Sequence, residues 1–415
     1  MPRVPSQRQY GRVLAAGLLC AVLLASCGRQ DVQESKEDRL FQVNSGETIH
    51  VRMAGCGPSP VVLLAGNNCS GRSFEPLLAL VEATKEIREA YTFYAFDYRG
   101  SGDSTYVHPV ESLDDFARDF ADIVQTDPLL QAGNITLVGH SMGFGVAQLM
   151  VDLDPSKYSG IVSLAGIGTR GVRVLFAGNT VGDDPKTGLS YSTGDWADSQ
   201  SAVAFHQRSW GGENRTAKNA SVIWNMVVFN DVLKFDPLLG IAKEPTYLDN
   251  SGYLNAIEDV LSTVYMPESL YASHRFNATS SILQHTNRDG TSVSIPGADR
   301  MAAFEGKWVL LVKAQTDRTS WRGDLVIDDS ITKNTKYDLR RAGATVTAVM
   351  LHADHGYDHG FPIHHPAETM QLIAAFAEAS DEPTAQALNS VFGAGTYELY
   401  SNAEMEWERE AYSGF

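Results

Sequence analysis

Positive charge is scarce in this chain of 415 residues, which carries 33 Lys and Arg residues against 50 Asp and Glu residues. The formal net charge at neutral pH is -17. Nucleic-acid binding depends on clustered Lys and Arg side chains that neutralise phosphates. The composition therefore argues against a nucleic acid as a partner.

Cysteine is also rare, and two of the four residues, Cys20 and Cys27, lie in an apolar N-terminal segment. The other two, Cys56 and Cys69, flank the apolar run VVLLA, which we expect to be a buried strand. At about 3.3 Å per extended residue, that strand would hold the two sulfur atoms about 20 Å apart, which is beyond disulfide reach. We therefore expect both thiols to be free.

A long membrane-spanning run is absent from the N-terminus, because the apolar stretch VLAAGLLCAVLLA from Val13 to Ala25 is too short to cross a bilayer comfortably. Three arginines precede it, as in a secretory signal peptide. The stretch ends in LASC, which resembles a bacterial lipobox and implies lipidation of Cys27. We assign residues 1–27 to this signal and the polar residues 28–39 to a flexible tether.

Export follows from either form of the signal, since the alternative to a lipobox is an ordinary secretory signal cleaved nearby. In the lipoprotein class, a residue other than Asp after the cysteine implies the outer membrane, and here that residue is Gly28. We expect a cell-envelope protein anchored to a membrane by lipid, with secretion as the alternative.

The rest of the chain alternates short apolar runs with amphipathic helical segments. This alternation is typical of an α/β fold with a mostly parallel sheet and helices on both faces. It extends over residues 40–168 and returns over 304–380, whereas 169–303 contains no clear strand run. Residues 381–415 are expected to form an acidic C-terminal tail, on the surface or partly disordered.

The sequence GHSMG, from Gly139 to Gly143, lies directly between an apolar strand run and a helical run. Glycines two residues before and after Ser141 permit a tight turn at which strand and helix approach closely. The N-terminus of the helix favours negative charge that develops beside the serine. This G-x-S-x-G arrangement predicts a nucleophilic Ser141, and the alternative is a structural turn.

Together with DYRGSGDS, from Asp97 to Ser104, this motif resembles the α/β-hydrolase superfamily over about residues 40–380. The resemblance implies that residues 169–303 are a largely helical cap over the pocket. It also implies that Asp97 and Arg99 hold their loop in place, although a contact from Arg99 to substrate is the alternative.

The segment LLAGNNCSG, from Leu63 to Gly71, stands at the oxyanion-loop position, where the family often has His-Gly and this chain has Ala-Gly. The resemblance implies that the backbone N–H groups of Asn67 and Met142 stabilise the oxyanion. The side chain of Asn68 either adds a hydrogen bond or stabilises the loop.

The family's catalytic acid follows the strand after the cap, and LLVKAQTDRTS resembles that G-x-x-D segment with Ala in place of Gly. The resemblance implies that Asp317 is the acid that orients the histidine. The later acid Asp324 is an alternative, but it lacks the position at the strand end.

Five histidines fall in VMLHADHGYDHGFPIHH, where the family places its base. Counting from the end of the expected strand favours His355, and ADHGY resembles the family's loop. Counting seven residues back from Pro366, at the start of the final helix, favours His359. We predict His355 as the base, with His359 as the alternative.

Such a dense histidine cluster also fits a metal site. Because one of these histidines is needed as the base of the triad, and no paired Cys/His spacing occurs elsewhere, we predict no metal and no cofactor.

The resemblance implies a serine hydrolase that cleaves carboxylic esters in a small molecule or peptide through an acyl-enzyme. A proline-iminopeptidase-like aminopeptidase is the first alternative, although its GGPG loop is absent, and a non-catalytic hydrolase-fold binding protein is the second.

Overall fold

The computed structural model describes the core of the chain and parts of the inserted segment, namely residues 38–171, 235–236, 241–242, 258–259, 269, 272–273, 275–286, 292–317, 322–324, 326–378 and 385–402. The expected signal peptide, Cys27, residues 28–37 of the tether and most of the expected cap lie outside these residues. Within the described residues, no helix combines the length and the apolar character that a membrane crossing requires.

The described strands are β1 Arg39–Gln42, β2 Thr48–Gly55, β3 Ser59–Leu64, β4 Tyr91–Phe96, β5 Ile135–His140, β6 Tyr158–Leu164, β7 Phe235–Asp236, β8 Ile241–Ala242, β9 Leu283–Thr286, β10 Ser292–Ile295, β11 Trp308–Ala314, β12 Thr316–Asp317, β13 Arg322–Gly323, β14 Thr345–Leu351 and β15 Tyr397–Tyr400. Nine of them form one sheet in the order β1-β2-β4-β3-β5-β6-β11-β14-β15. The other six pair as three small hairpins, β7 with β8, β9 with β10, and β12 with β13.

Six neighbouring strands at the centre of the sheet, β4, β3, β5, β6, β11 and β14, run parallel. All residues of β4 and β5 are buried, which explains why these strands read as continuous apolar runs in the sequence. Antiparallel strands complete both edges, with β2 beside β4 and β15 beside β14. The mostly parallel α/β sheet expected from the sequence is confirmed.

The described helices are α1 Glu75–Ala83, α2 Lys85–Ala90, α3 Leu113–Thr126, α4 Pro128–Gln131, α5 Met142–Leu153, α6 Asp329–Arg341, α7 Phe361–His364, α8 Pro366–Glu378 and α9 Ala385–Phe392. Short 3₁₀ segments cover Gly71–Phe74, Pro155–Lys157, Met301–Phe304 and Ala353–His355. Helix α3 begins with a capping box in which the Ser112 and Asp115 side chains satisfy the first-turn N–H groups. Both disulfide candidates, Cys56 and Cys69, are free thiols, as expected.

The C-terminal region differs from the acidic tail that the sequence suggested. Residues 385–402 form α9 and β15, and β15 pairs with β14 from Ala348 to Leu351 at the edge of the main sheet. Leu388 and Phe392 of α9 are buried in the core. An unpaired edge of β14 would expose backbone donors and acceptors, and β15 supplies their partners.

Candidate active site

The turn between β5 and α5 holds Ser141 in a conformation that few residues adopt, with φ of 51° and ψ of -119°. Its N–H donates to the carbonyl of Leu164 at 3.0 Å, which ties the turn to β6. A Cβ at Gly139 would lie 2.4 Å from the backbone nitrogen of Phe144, and one at Gly143 would lie 2.2 Å from the carbonyl oxygen of Leu64. Both glycines are therefore required by close backbone packing, and Ser141 lies at a strained turn between strand and helix.

A buried chain of hydrogen bonds leads away from Ser141. Its Oγ lies 3.0 Å from Nε2 of His359, and Nδ1 of the same ring lies 3.1 and 3.2 Å from the two carboxylate oxygens of Asp324. A carboxylate only accepts, so Nδ1 carries the proton and Nε2 accepts from the serine hydroxyl. Because Ser141, His359 and Asp324 are 9%, 4% and 0% exposed, water competes little for these bonds.

Asp317 and His355 are not the partners of Ser141 in this geometry, so the structure corrects both expectations. Asp317 lies half-buried in β12, opposite Arg322 of β13. His355 lies in the 3₁₀ turn after β14, and 43% of its side chain is exposed. The two alternatives weighed from the sequence, Asp324 and His359, occupy the positions beside Ser141.

Both corrections have the same physical cause. The β12–β13 hairpin follows β11, so the chain reaches Asp324 seven residues later than a direct count from the strand end suggests. The 3₁₀ turn Ala353–His355 similarly fills the space after β14, so the histidine that contacts Ser141 is His359. Counting seven residues back from the start of α8 at Pro366 locates His359, because the extra residues lie on the strand side of that loop.

The carboxylate of Asp324 is held in place by its own loop. The N–H groups of Val326 and Ile327 donate to Oδ1 of Asp324 at 2.9 and 2.8 Å. Its backbone carbonyl accepts from the hydroxyl of Thr316 at 2.8 Å. The side chain thus reaches His359 from a fixed backbone.

Charge keeps Asp324 ionised despite its burial. Burial by itself raises the pKa of this carboxyl, but the adjacent His359, its hydrogen bond and the ammonium group of Lys313 together lower the pKa below its ordinary value. Lys313 is 1% exposed and its Nζ donates to Asp329 at 2.5 Å and to Thr316 at 3.0 Å. The lysine in the apolar run WVLLVKA is the sequence signal for this buried charge, and Lys313 was not among the predicted site residues.

His140, the residue before Ser141, also contacts His359. Its Nε2 donates to the backbone carbonyl of His359 at 2.9 Å, since a carbonyl only accepts. Burial, and then the neighbouring His359, lower the pKa of His140 to about 3, so its ring is neutral. Its other nitrogen, Nδ1, is buried and has no hydrogen-bond partner among the described residues. His140 was not among the site residues predicted from the sequence.

The segment from Leu63 to Gly71 lies beside Ser141. A Cβ at Gly66 would lie 3.2 Å from Cβ of Ser141, which brings the next residue, Asn67, to the edge of the site. Met142 is the first residue of α5, where an N–H has no acceptor within its own helix. From the described part of residues 169–303, the hydroxyl of Ser269 donates to Oδ1 of Asn67 at 2.5 Å.

Asn68, the next residue of the oxyanion loop, adopts a left-handed backbone conformation, with φ of 62°. Its Oδ1 is buried and accepts no hydrogen bond from the described residues. Among the described residues, the side-chain oxygen of Asn68 therefore makes no hydrogen bond that would stabilise this loop.

The loop DYRGSGDS has a structural role, as expected. Arg99 forms a bidentate ion pair with Asp119 of α3, with both nitrogen–oxygen distances at 2.6 Å. The buried Asp97 accepts hydrogen bonds from the N–H groups of Gly71 and Asp103 at 2.8 and 3.0 Å. Both side chains are thereby committed to holding the loop.

A model of the alpha/beta hydrolase family matches residues 61–372, which is 312 of the 415 residues. The chain belongs to the alpha/beta hydrolase family. The match includes Ser141, Asp324 and His359, so the family assignment covers the whole hydrogen-bonded chain described above.

Solved structures share this alpha/beta hydrolase fold at low sequence identity. An esterase from Exiguobacterium antarcticum aligns with a TM-score of 0.54 and 16% identity, covering 83% of this chain and 100% of its own. An esterase from a Rhodococcus species aligns at 0.51 and 20%, covering 83% and 99%. A bromoperoxidase from Bacillus anthracis aligns at 0.54 and 16%, covering 83% and 100%. No curated protein matches the sequence significantly.

Proposed function

We propose that this hydrolase is a serine esterase that cleaves carboxylic esters through an acyl-enzyme on Ser141. The observation that carries the proposal is the buried chain from Ser141 Oγ through His359 to Asp324. In that chain an ionised carboxylate orients an imidazole whose free lone pair faces a serine hydroxyl. This arrangement generates an alkoxide-like nucleophile at neutral pH without a metal or other cofactor.

In the first half of the reaction, Nε2 of His359 takes the proton of Ser141 as Oγ attacks the ester carbonyl carbon. The tetrahedral intermediate collapses when the protonated imidazole donates that proton to the departing alcohol oxygen, which leaves Ser141 acylated. In the second half, His359 takes a proton from water as the water oxygen attacks the acyl carbon, and the imidazolium then returns that proton to Ser141 Oγ as the acid leaves. Asp324 remains ionised throughout and stabilises the imidazolium.

The N–H groups of Asn67 and Met142 are the proposed donors to the oxyanion. The support for this proposal is that Gly66, the residue before Asn67, lies against Ser141, and that α5 begins at Met142, directly after Ser141. Donors of this kind typically contribute about 3 to 4 kcal/mol to transition-state stabilisation each. The hydrogen bond from Ser269 to Asn67 links the position of this donor to the cap.

His140 and Lys313 act on the triad through other residues and are proposed as positioning residues. The hydrogen bond from His140 holds the backbone of His359 in place. The ring of His140 is neutral, so it adds no positive charge that would disfavour protonation of His359. Lys313 favours the ionised form of Asp324, the form that orients the base. Neither side chain needs to touch the substrate in this proposal.

The proposed preference for esters is supported by the fold that the chain shares with two esterases. The alternative of an aminopeptidase is less favoured, because this chain lacks the GGPG loop usual in such enzymes. A series of nitrophenyl esters with increasing acyl length, assayed beside aminoacyl-nitroanilides, tests the preference. We expect turnover of the esters that disappears in Ser141→Ala, with slower turnover of the anilides. Faster cleavage of the anilides would favour the aminopeptidase, and no turnover of either series would favour a binding protein.

The proposed site of action is the cell envelope, with the chain lipidated on Cys27. The argument is the lipobox-like LASC sequence after an apolar segment of signal-peptide length. Radiolabelled fatty acid should enter the full chain in bacterial cells and should not enter Cys27→Ser. Equal incorporation in both chains, or none in either, would contradict lipidation at this residue.

A further inference from the structure

His355, which the triad does not use, lies in a cluster of side chains suited to a metal ion. His352, Asp354 and His355 each offer one ligand atom, and these three atoms lie within 4.8 Å of one another. The cluster follows β14 directly and occupies the 3₁₀ turn Ala353–His355 and the residue before it. It therefore lies at the carboxyl end of a core strand.

The three side chains are available for coordination. Among the described residues none of them takes part in a side-chain hydrogen bond, and Nε2 of His355 lies 3.8 Å from Oδ1 of Asp354. The rings of His352 and His355 are neighbours, with centroids 6.1 Å apart. Asp354 and His355 are exposed and His352 is half-buried, so an ion in solution reaches the cluster.

A second cluster of similar composition, His50, Asp97 and Asp103, provides a useful contrast. There the guanidinium group of Arg52 lies 2.6 Å from Asp97 and 2.8 Å from Asp103. A positive charge thus already occupies the space between the carboxylates. Within the described residues, no lysine or arginine is paired with Asp354 in this way.

The backbone beneath the His352 cluster is fixed by its neighbours. The N–H of His352 donates to the carbonyl of Thr396 at 2.8 Å, and the N–H of His355 donates to the carbonyl of His352 at 3.2 Å. A Cβ at Gly323 would lie 3.0 Å from Cβ of Ala353, so β13 packs closely against the turn. Rigid support of this kind limits the entropy that the ligands lose on binding a metal.

We propose that His352, Asp354 and His355 form a binding site for a divalent first-row transition-metal ion, with Zn²⁺ as the probe. Two imidazoles and one carboxylate are ligands that Zn²⁺ takes, and water completes the shell because the cluster is open to solvent. The bound ion crosslinks side chains of the turn that ends at His355, four residues before His359. The same turn packs on the β12–β13 hairpin, which directly precedes Asp324. The ion stabilises the loops of the triad and does not contact the substrate.

Calorimetric titration of Zn²⁺ into the full chain, prepared without a histidine tag, tests this site. We expect one equivalent to bind, and the double variant His352→Ala/His355→Ala to bind at least about tenfold more weakly. The single variant His355→Ala should also weaken binding, whereas its matched control His108→Ala, which removes another exposed imidazole, should not. Circular dichroism of each variant confirms that it is folded before titration.

Two further variants separate this site from other possible ligands. His359→Ala should bind Zn²⁺ as the wild type does, and so should Cys56→Ser, which removes an exposed thiol. Saturating Zn²⁺ should also raise the Tm of the wild type and leave that of the double variant unchanged. Unchanged binding in the double variant, loss of binding in His359→Ala or Cys56→Ser, or no binding by the wild type would each overturn the proposal. None of these readouts depends on esterase activity.

Discussion

At the scale of single residues, two aspartates separated by a short hairpin have different environments. Asp324 is fully buried against His359, whereas Asp317 is half-buried in β12. We expect Asp324→Asn to lower kcat for a nitrophenyl ester by about 10³- to 10⁴-fold, because the amide no longer stabilises the protonated base or fixes its tautomer. Asp317→Asn is the matched control and should retain kcat within about threefold. A larger loss in Asp317→Asn than in Asp324→Asn would contradict this assignment of the acid.

His140 offers a second prediction at this scale, through its hydrogen bond to the carbonyl of His359. His140→Ala removes that donor, so the base becomes less well oriented and kcat should fall about tenfold while KM changes little. His140→Gln supplies an amide N–H and should recover part of the loss. An equal change in KM, or an alanine variant as active as wild type, would show that the bond does not position the base.

The elements around the elbow can be tested through their glycines. A methyl group at Gly139 or Gly143 would collide with backbone atoms 2.4 and 2.2 Å away, and backbone atoms cannot rotate aside. Each alanine variant should lose about 3 kcal/mol or more of unfolding free energy, measured by urea denaturation. Gly306→Ala is the control for backbone strain without a collision, because its φ of 71° disfavours alanine but no atom lies within 4 Å of the added Cβ. It should lose about 1 kcal/mol, and equal losses at all three positions would mean that packing at the elbow is not the cause.

The elements on either side of each site residue explain which parts of the site could be predicted from the sequence. Ser141 was predictable because a buried strand, two glycines and an amphipathic helix meet in consecutive residues. The acid and the base were not, because each follows a strand through an irregular connection, and neither the β12–β13 hairpin nor the turn Ala353–His355 has a periodic pattern. The start of α8 at Pro366 lies seven residues after His359, so the distance measured from this helix was the better guide to the base.

For the whole molecule, the sheet was predictable from the sequence but its C-terminal edge was not. The central strands are continuous apolar runs, and burial on both faces leaves little ambiguity in such runs. Helix α9 has eight residues and β15 has four, with β15 partly exposed, so neither shows a strong pattern by itself. Their structure depends on the edge of β14 and on the core beneath α9, which are contacts distant in sequence.

This integration of the C-terminal region makes a prediction for the stability of the whole fold. Leu388 and Phe392 are 1% and 6% exposed, so replacing either by Ala should cost about 2 to 5 kcal/mol of unfolding free energy. Leu399→Ala is the matched control, because Leu399 is 37% exposed and should cost less than about 1 kcal/mol. If the two α9 variants unfold at the same urea concentration as wild type, residues 385–402 do not belong to the cooperative fold.

The central claim is that Ser141 is activated by His359, and covalent labelling of the serine by a fluorophosphonate tests it most directly. The reagent should add one adduct per chain, located on the peptide that contains Ser141. The labelling rate should fall by about 10³-fold or more in His359→Ala and stay within about threefold of wild type in His355→Ala. Absence of the adduct in wild type, an adduct on another residue, or equal rates in wild type and His359→Ala would contradict the proposed triad.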